Sequence, residues 1–283
     1  MKSSFCRIHG QNNRTVLQII VYNISVLGLL IFGTISVASP CFRYTGLIDI
    51  PTAYAMKNGV FNAGSQISVW DKKRNETAIS VEIGLFDYAE LKITGMIVHN
   101  ILNTQDKGYV TGSLKIRLSQ ESGSVPGLSF GIDNFGEKIR DNSKIHDTSF
   151  YGVISKQFNL PFAHIFSGHL GIGNKSYVVD ESIGKYLHGI FFGLSKNIAL
   201  SSLDDQLNLA CEIKGKSLNA GLRYTMNSGL MICLGVGQLN SDSANYRYYT
   251  NVSFTNELIM KRIQQASELA QKAVRIANES RPD

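Results

Sequence analysis

The chain's 283 residues are enough for one large barrel or two small domains. Charged residues make up 18%, below the roughly 25% usual in soluble domains, while Gly is frequent at 26 residues and Pro scarce at 5. Setting Lys2, Arg7 and Arg14 aside leaves 25 basic against 22 acidic residues, and no cluster of Lys and Arg interleaved with aromatics occurs, which argues against a nucleic-acid-binding surface.

The first predicted element is an export signal. An apolar run from Val16 to Val37 follows the basic segment and ends in Ser36-Val37-Ala38. Small residues at the third and first places before a cut suit signal peptidase, so residues 1–38 are predicted to be a signal peptide cleaved after Ala38. The run also approaches the roughly 20 residues that span a bilayer, so a retained anchor is the competing reading. Gln18, Asn23, Gly28 and Gly33 weaken such a span, and Pro40 before Cys41 argues against a lipoprotein. No later apolar run approaches about 18 residues, which excludes a multi-span helical membrane protein.

After an N-terminal segment at 39–59, residues 60–254 read as short alternating strands. In Thr77 to Leu85 one face carries Thr77, Ile79, Val81, Ile83 and Leu85, and the other Ala78, Ser80, Glu82 and Gly84. That period of two belongs to a strand with one apolar and one polar side. The pattern returns at 109–118 and 217–225 and is blurred at 148–157. Twelve strands are predicted, at 60–70, 76–85, 90–98, 109–118, 127–134, 148–157, 165–173, 188–196, 206–214, 217–225, 229–238 and 246–254.

Alternation alone does not say which face is inside, because a soluble sandwich and a membrane barrel give the same string of letters. Three features favour the membrane barrel: the export signal, longer loops on one side of the strand order, and aromatics at strand ends. Those aromatics are Trp70, Phe86, Tyr88, Tyr109, Phe158, Tyr224, Tyr246 and Phe254, predicted to form interfacial girdles. In such a barrel Glu82, Lys92, Lys115, Arg117, Asp133, His169, Glu212, Arg223 and Arg247 point inward as lumen-lining groups. They either pair and fill the interior or line a water channel, and a filled interior is slightly favoured.

Residues 255–283 form the last region. Asn256 to Glu279 lacks Gly and Pro, and Ile259, Ile263, Ala266, Ala270, Ala273 and Ile276 recur at helical spacing. A helical tail with a modest contact stripe is predicted, a candidate site for an envelope partner.

Catalytic and metal-binding patterns are not found. Cys6, Cys41, Cys211 and Cys233 form no CxxC pair, and Cys211 and Cys233 read as small strand residues. There is no GxSxG elbow and no Walker loop. Asp133, Asn134 and His146 are imaginable as a rim hydrolase site, but nothing in the sequence orients them. No cofactor is expected.

Thr45-Gly46-Leu47-Ile48-Asp49-Ile50-Pro51-Thr52-Ala53, followed by Asn58-Gly59-Val60-Phe61-Asn62-Ala63-Gly64, resembles the opening of outer-membrane barrels of the YjbH type, associated with exopolysaccharide biosynthesis. Ile83-Gly84-Leu85-Phe86-Asp87-Tyr88-Ala89-Glu90-Leu91 is similar to a short turn between early strands in such barrels. The resemblance covers residues 45–98 and implies an outer-membrane barrel linked to polysaccharide export.

The sequence therefore predicts an all-β protein: an antiparallel transmembrane barrel of about 12 strands, porin-like, acting as conduit or docking protein, with membrane lipid and possible polysaccharide or envelope-protein partners. The alternatives are an inert barrel whose tail recruits a partner and a soluble secreted β-sandwich.

Overall fold

A computed structural model describes residues 43–70, 74–100, 107–139, 148–160, 164–174, 177, 189–200, 205–215, 217–240 and 246–279. The predicted signal peptide, Cys6, Cys41 and His146 lie outside the described residues.

Twelve antiparallel strands close into one barrel. They are β1 Phe61–Trp70, β2 Arg74–Leu85, β3 Ala89–Asn100, β4 Lys107–Ser119, β5 Gly127–Ile139 and β6 Ser149–Leu160, followed by β7 His164–Gly173, β8 Ile190–Leu200, β9 Asp205–Lys214, β10 Ser217–Thr225, β11 Leu230–Gly237 and β12 Arg247–Thr255. Each strand pairs with its chain neighbours, and β1 closes on β12 from Asn62↔Thr255 to Trp70↔Arg247. No sheet edge is left open, so every ladder can satisfy its backbone groups internally, as a bilayer requires. Among the described residues one helix, α1 Glu257–Glu279, continues from β12. The end of the barrel that carries it is called the helix end below.

All twelve predicted strands are present. The largest boundary difference is in β5, predicted to stop at residue 134 and observed to run to Ile139. Asn134 adopts a left-handed conformation at φ 57°, and the β4–β5 register slips around Gly112. This irregularity breaks the two-residue period, so the second half of β5 does not announce itself as a strand. It also explains why Asp133 and Asn134, adjacent in sequence, are both buried.

The polarity is inverted relative to a soluble barrel. Ile79, Leu118 and Ile172 are at least 60% exposed, whereas Glu76, Glu82 and Glu212 are at most 3% exposed and face inward. Ile93, Val110, Ile154, Leu170, Leu194, Leu234 and Val252 continue the outer apolar surface around the circumference. A mainly apolar exterior around a charged interior is the arrangement that hydrocarbon surroundings stabilise. The alternative of a soluble β-sandwich is not the fold, since the strands close into one barrel.

Phe86, Tyr88 and Phe158 stand exposed at strand ends, where girdle aromatics belong. Tyr109 is a correction to the predicted girdle. It is 3% exposed and points into the barrel against Ala78, Met96 and Val98. Its position one residue before the outward Val110 puts it on the inner face of β4.

Candidate functional site

The barrel interior is occupied by the chain's own residues 43–58, which form a finger inserted from the helix end. A tight turn bends it, with the Gly46 N–H donating to the Arg43 carbonyl at 3.1 Å and the Leu47 N–H to the Ile50 carbonyl at 3.0 Å. Thr52 bonds back to the Thr45 carbonyl, tying the two limbs together. Thr45 and Met56 meet at one carboxylate, Glu90, near the start of β3. Asp49, near the tip, reaches Tyr249 and Arg247 at the far end of β12. The two described limbs, at Thr45 and Met56, therefore lie together toward the helix end.

Barrel side chains hold the finger mainly through its backbone. Glu212 accepts the N–H groups of Ile48 at 2.9 Å, Asp49 at 2.7 Å and Ile50 at 3.3 Å. Arg223 donates to the carbonyls of Arg43 and Tyr44 at 2.7 Å and of Gly46 at 3.1 Å. Glu82 accepts the Tyr44 N–H at 2.9 Å, and Glu90 accepts that of Met56 at 2.9 Å. Ala53 is held on both sides, its N–H by Ser155 and its carbonyl by Ser129, each at 2.8 Å.

Side chains add specificity. The Asp49 carboxylate takes hydrogen bonds from Tyr249 at 2.9 Å and Asn219 at 3.3 Å, with Arg247 at 3.9 Å. Leu47, Ile50 and Ala53 pack with Tyr151, Val153, Tyr177 and Phe191 in one buried cluster. Gly193 leaves the room this requires, because a Cβ there would stand 2.4 Å from Leu47 Cδ1 and 2.7 Å from Ile50 Cδ1. Arg43 pairs with Asp133, which also accepts from Tyr177, and its guanidinium lies 5.6 Å from the Tyr151 ring centroid.

The nine residues expected along the lumen have the following places. Glu82 and Lys92 pair at 2.7 Å, and Lys115 pairs with Glu90 at 2.9 Å while reaching Thr45. Arg247 pairs with Glu76 at 2.9 Å beside Asp49. Asp133, Glu212 and Arg223 bind the finger directly, as described above. His169 is buried between Ser155 at 2.8 Å and Ser195 at 3.3 Å, bracing the serine that holds Ala53. Arg117 stands apart: it lies at the helix-end rim, donating to the Asp87 carbonyl at 2.6 Å. As a hydrolase candidate, Asp133 is committed to Arg43 and Tyr177. Among the described residues no cluster of His, Cys, Asp or Glu could hold a metal ion.

Sequence reasoning did not place the finger itself, nor Glu90, Asn219, Tyr249 and the aromatic cluster that receive it. Glu90 was open to discovery, since it shares a face with Lys92. The blur at 148–157 was the sign of the aromatic cluster. Tyr151 and Val153 face inward toward the finger, so β6 is apolar on both sides and loses its alternation.

The finger's base is fastened to the helix end. Asn58 and the β2–β3 turn clasp each other, the Asn58 N–H donating to Asp87 at 2.6 Å and the Phe86 N–H to Asn58 at 3.1 Å. A Cβ at Gly84 would stand 2.2 Å from the Lys57 carbonyl oxygen, so only glycine lets the finger pass. Tyr44 donates to Glu257 at the start of α1, and Asn256 bonds the Phe61 N–H and Gly59 carbonyl. In the β4–β5 turn, Tyr54 and the Gln157 N–H donate to Glu121 at 3.0 and 2.8 Å, with Lys156 at 3.3 Å. Partial burial pushes the Glu121 carboxyl up, but the Gln157 N–H, the Tyr54 hydroxyl and the Lys156 charge outweigh it and hold it below the usual carboxylate range.

No family model and no curated protein sequence matches the chain. Among solved structures it is similar to the KdgM porin in complex with disordered oligogalacturonate, at 10% identity and TM-score 0.43, over 68% of this chain and 98% of that one. It is also similar to a substituted Rh. blastica porin, at 12% identity and TM-score 0.27, over 63% of this chain and 55% of that one.

Proposed function

We propose that the protein is a porin-like barrel of the outer membrane whose conduit is held shut by its own finger. The observation that carries this reading is the set of backbone bonds from residues 44–56 to Glu82, Glu90, Glu212, Arg223, Ser129 and Ser155. A lumen that merely needed filling would use its own side chains. Here charged and hydroxyl side chains of the barrel grip a separate segment whose two described limbs lie together toward the helix end. The gaps at the end opposite the helix include the longer ones, so that end faces outward and the helix end the periplasm.

Export with cleavage after Ala38 fits this arrangement, since the mature chain would begin a few residues before Arg43 and the finger would be its N-terminus. Polysaccharide is the cargo class indicated by the resemblance at residues 45–98. The test is planar-bilayer recording. Wild-type protein should stay closed for most of the record, and weakening the finger should open it. Equal, sustained conductance in both would defeat the reading.

A second role belongs to α1. From Lys261 to Ile276 the helix is exposed throughout, including Ile263, Leu269, Val274 and Ile276. Recruitment of an envelope protein by this surface is tested by truncation after Met260, which should abolish co-purification of the partner and leave conductance unchanged.

A further inference from the structure

We infer that the interior is a peptide-binding site, able to take a bent segment with the finger's sequence when it is supplied in trans. This rests on the reading of residues 43–58 as a stopper that can be withdrawn. Three observations point to it. Recognition is directed at peptide groups: Glu212 answers three consecutive N–H groups, Arg223 three carbonyls, and Ser155 with Ser129 both sides of Ala53. An inorganic ion offers no such ordered row of donors and acceptors, and a sugar does not alternate N–H donors with carbonyl acceptors. The side-chain contacts then select the peptide: an acidic residue for Tyr249, Asn219 and Arg247, and aliphatic groups at the places of Leu47 and Ile50 against Tyr151 and Phe191. Finally, both limbs lie at one mouth, so the ligand needs no threading through the barrel and the strand ladders stay intact while it exchanges.

Attachment to β1 gives the resident finger an effective concentration on the order of millimolar, so free peptide competes only after the tether is cut. Lys57, Asn58 and Gly59 are exposed, which allows a protease site to be placed there and cleaved after folding. A barrel that folded with its finger in place thus becomes an open receptor without a deletion.

The experiment uses the full chain with that site, nicked and washed in detergent, and a fluorescent synthetic peptide of residues 43–57. Saturable binding to nicked protein is expected, with at least about 10-fold less binding to uncut protein and at least about 10-fold weaker binding of the peptide carrying Asp49→Ala. Equal binding of a scrambled peptide, or no binding to a nicked barrel that conducts, overturns the inference while leaving the stopper reading intact. If the nicked and washed barrel has lost its segment and still does not conduct, the stopper reading itself fails. For a nicked barrel that retains its segment, displacement of that segment by excess unlabelled peptide supports the inference, and failure of a large excess to displace it overturns it.

Discussion

Replacing Glu212 by Ala should open the barrel. The carboxylate is 1% exposed and accepts three N–H groups from the finger's tip, two of them at 2.7 and 2.9 Å and a weaker one at 3.3 Å. A hydrogen bond contributes about 0.5–1.5 kcal/mol net, and a buried N–H left without an acceptor costs about 1–3 kcal/mol. Two N–H groups so stranded give about 2–6 kcal/mol, and water entering the vacated space recovers part of it, so about 3 kcal/mol is a working figure. At about 1.4 kcal/mol per factor of ten, the open-to-closed ratio should rise roughly 100-fold. The backbone of Glu212 stays in its ladder between Gly193 and Asn219, so the barrel itself should persist. The assay is open probability in planar bilayers, with a mobility shift on heating as the check that the barrel is folded. A folded Glu212→Ala protein whose open probability stays within about threefold of wild type would refute the claim that these bonds hold the conduit shut.

Other consequences can be checked alongside. Gly193→Leu places a side chain where Leu47 and Ile50 now sit, so it should also open the conduit, read as raised conductance with an unchanged heat shift. The Glu121 carboxyl titrates below its usual range, so its stabilising contribution is complete above the unfolded value of about 4.3 and is lost as pH falls through the folded one. Glu121→Gln should therefore lower the melting temperature at pH 7, and the difference should shrink as pH falls through the folded value. Tyr44→Phe removes the bond to Glu257 and should raise open probability by less than Glu212→Ala does, since only one contact is lost. Wild-type protein should need detergent for extraction and migrate faster unheated than boiled; release by a carbonate wash would overturn the membrane reading.

The barrel was legible because its outer face obeys one rule. Ile79, Val81 and Ile83, or Leu114, Ile116 and Leu118, point outward at every second residue, and the strand period follows directly. Even the inward places of Glu82, Lys92 and Lys115 follow from parity with those residues. What parity does not say is what an inward charge meets. Glu82 pairs with Lys92 on the adjacent strand, which cross-strand spacing allows a reader to guess. Glu212 meets residues 48–50, more than 160 positions away in the chain, and no local pattern encodes such a contact. The finger has no secondary-structure period of its own either, since its backbone bonds go largely to side chains of the wall.

The stretch that carries the family resemblance nevertheless contained the site in another form. Thr45 to Ala53 is the finger, Asn58-Gly59 is its exit, and Gly84 to Glu90 is the turn on which it rests. Asn58 bonds Asp87 and Phe86, Gly84 yields to Lys57, and Glu90 holds Thr45 and Met56. Two segments recognised separately as sequence motifs are thus the two halves of one contact. A strand face needs only an apolar residue at alternate positions and tolerates Val, Ile, Leu or Phe alike. A finger gripped by its backbone needs glycine where it passes closely and a carboxylate where its N–H groups converge. The resemblance at residues 45–98 therefore falls where the chain meets its own finger, and the rest of the barrel shows only a rhythm.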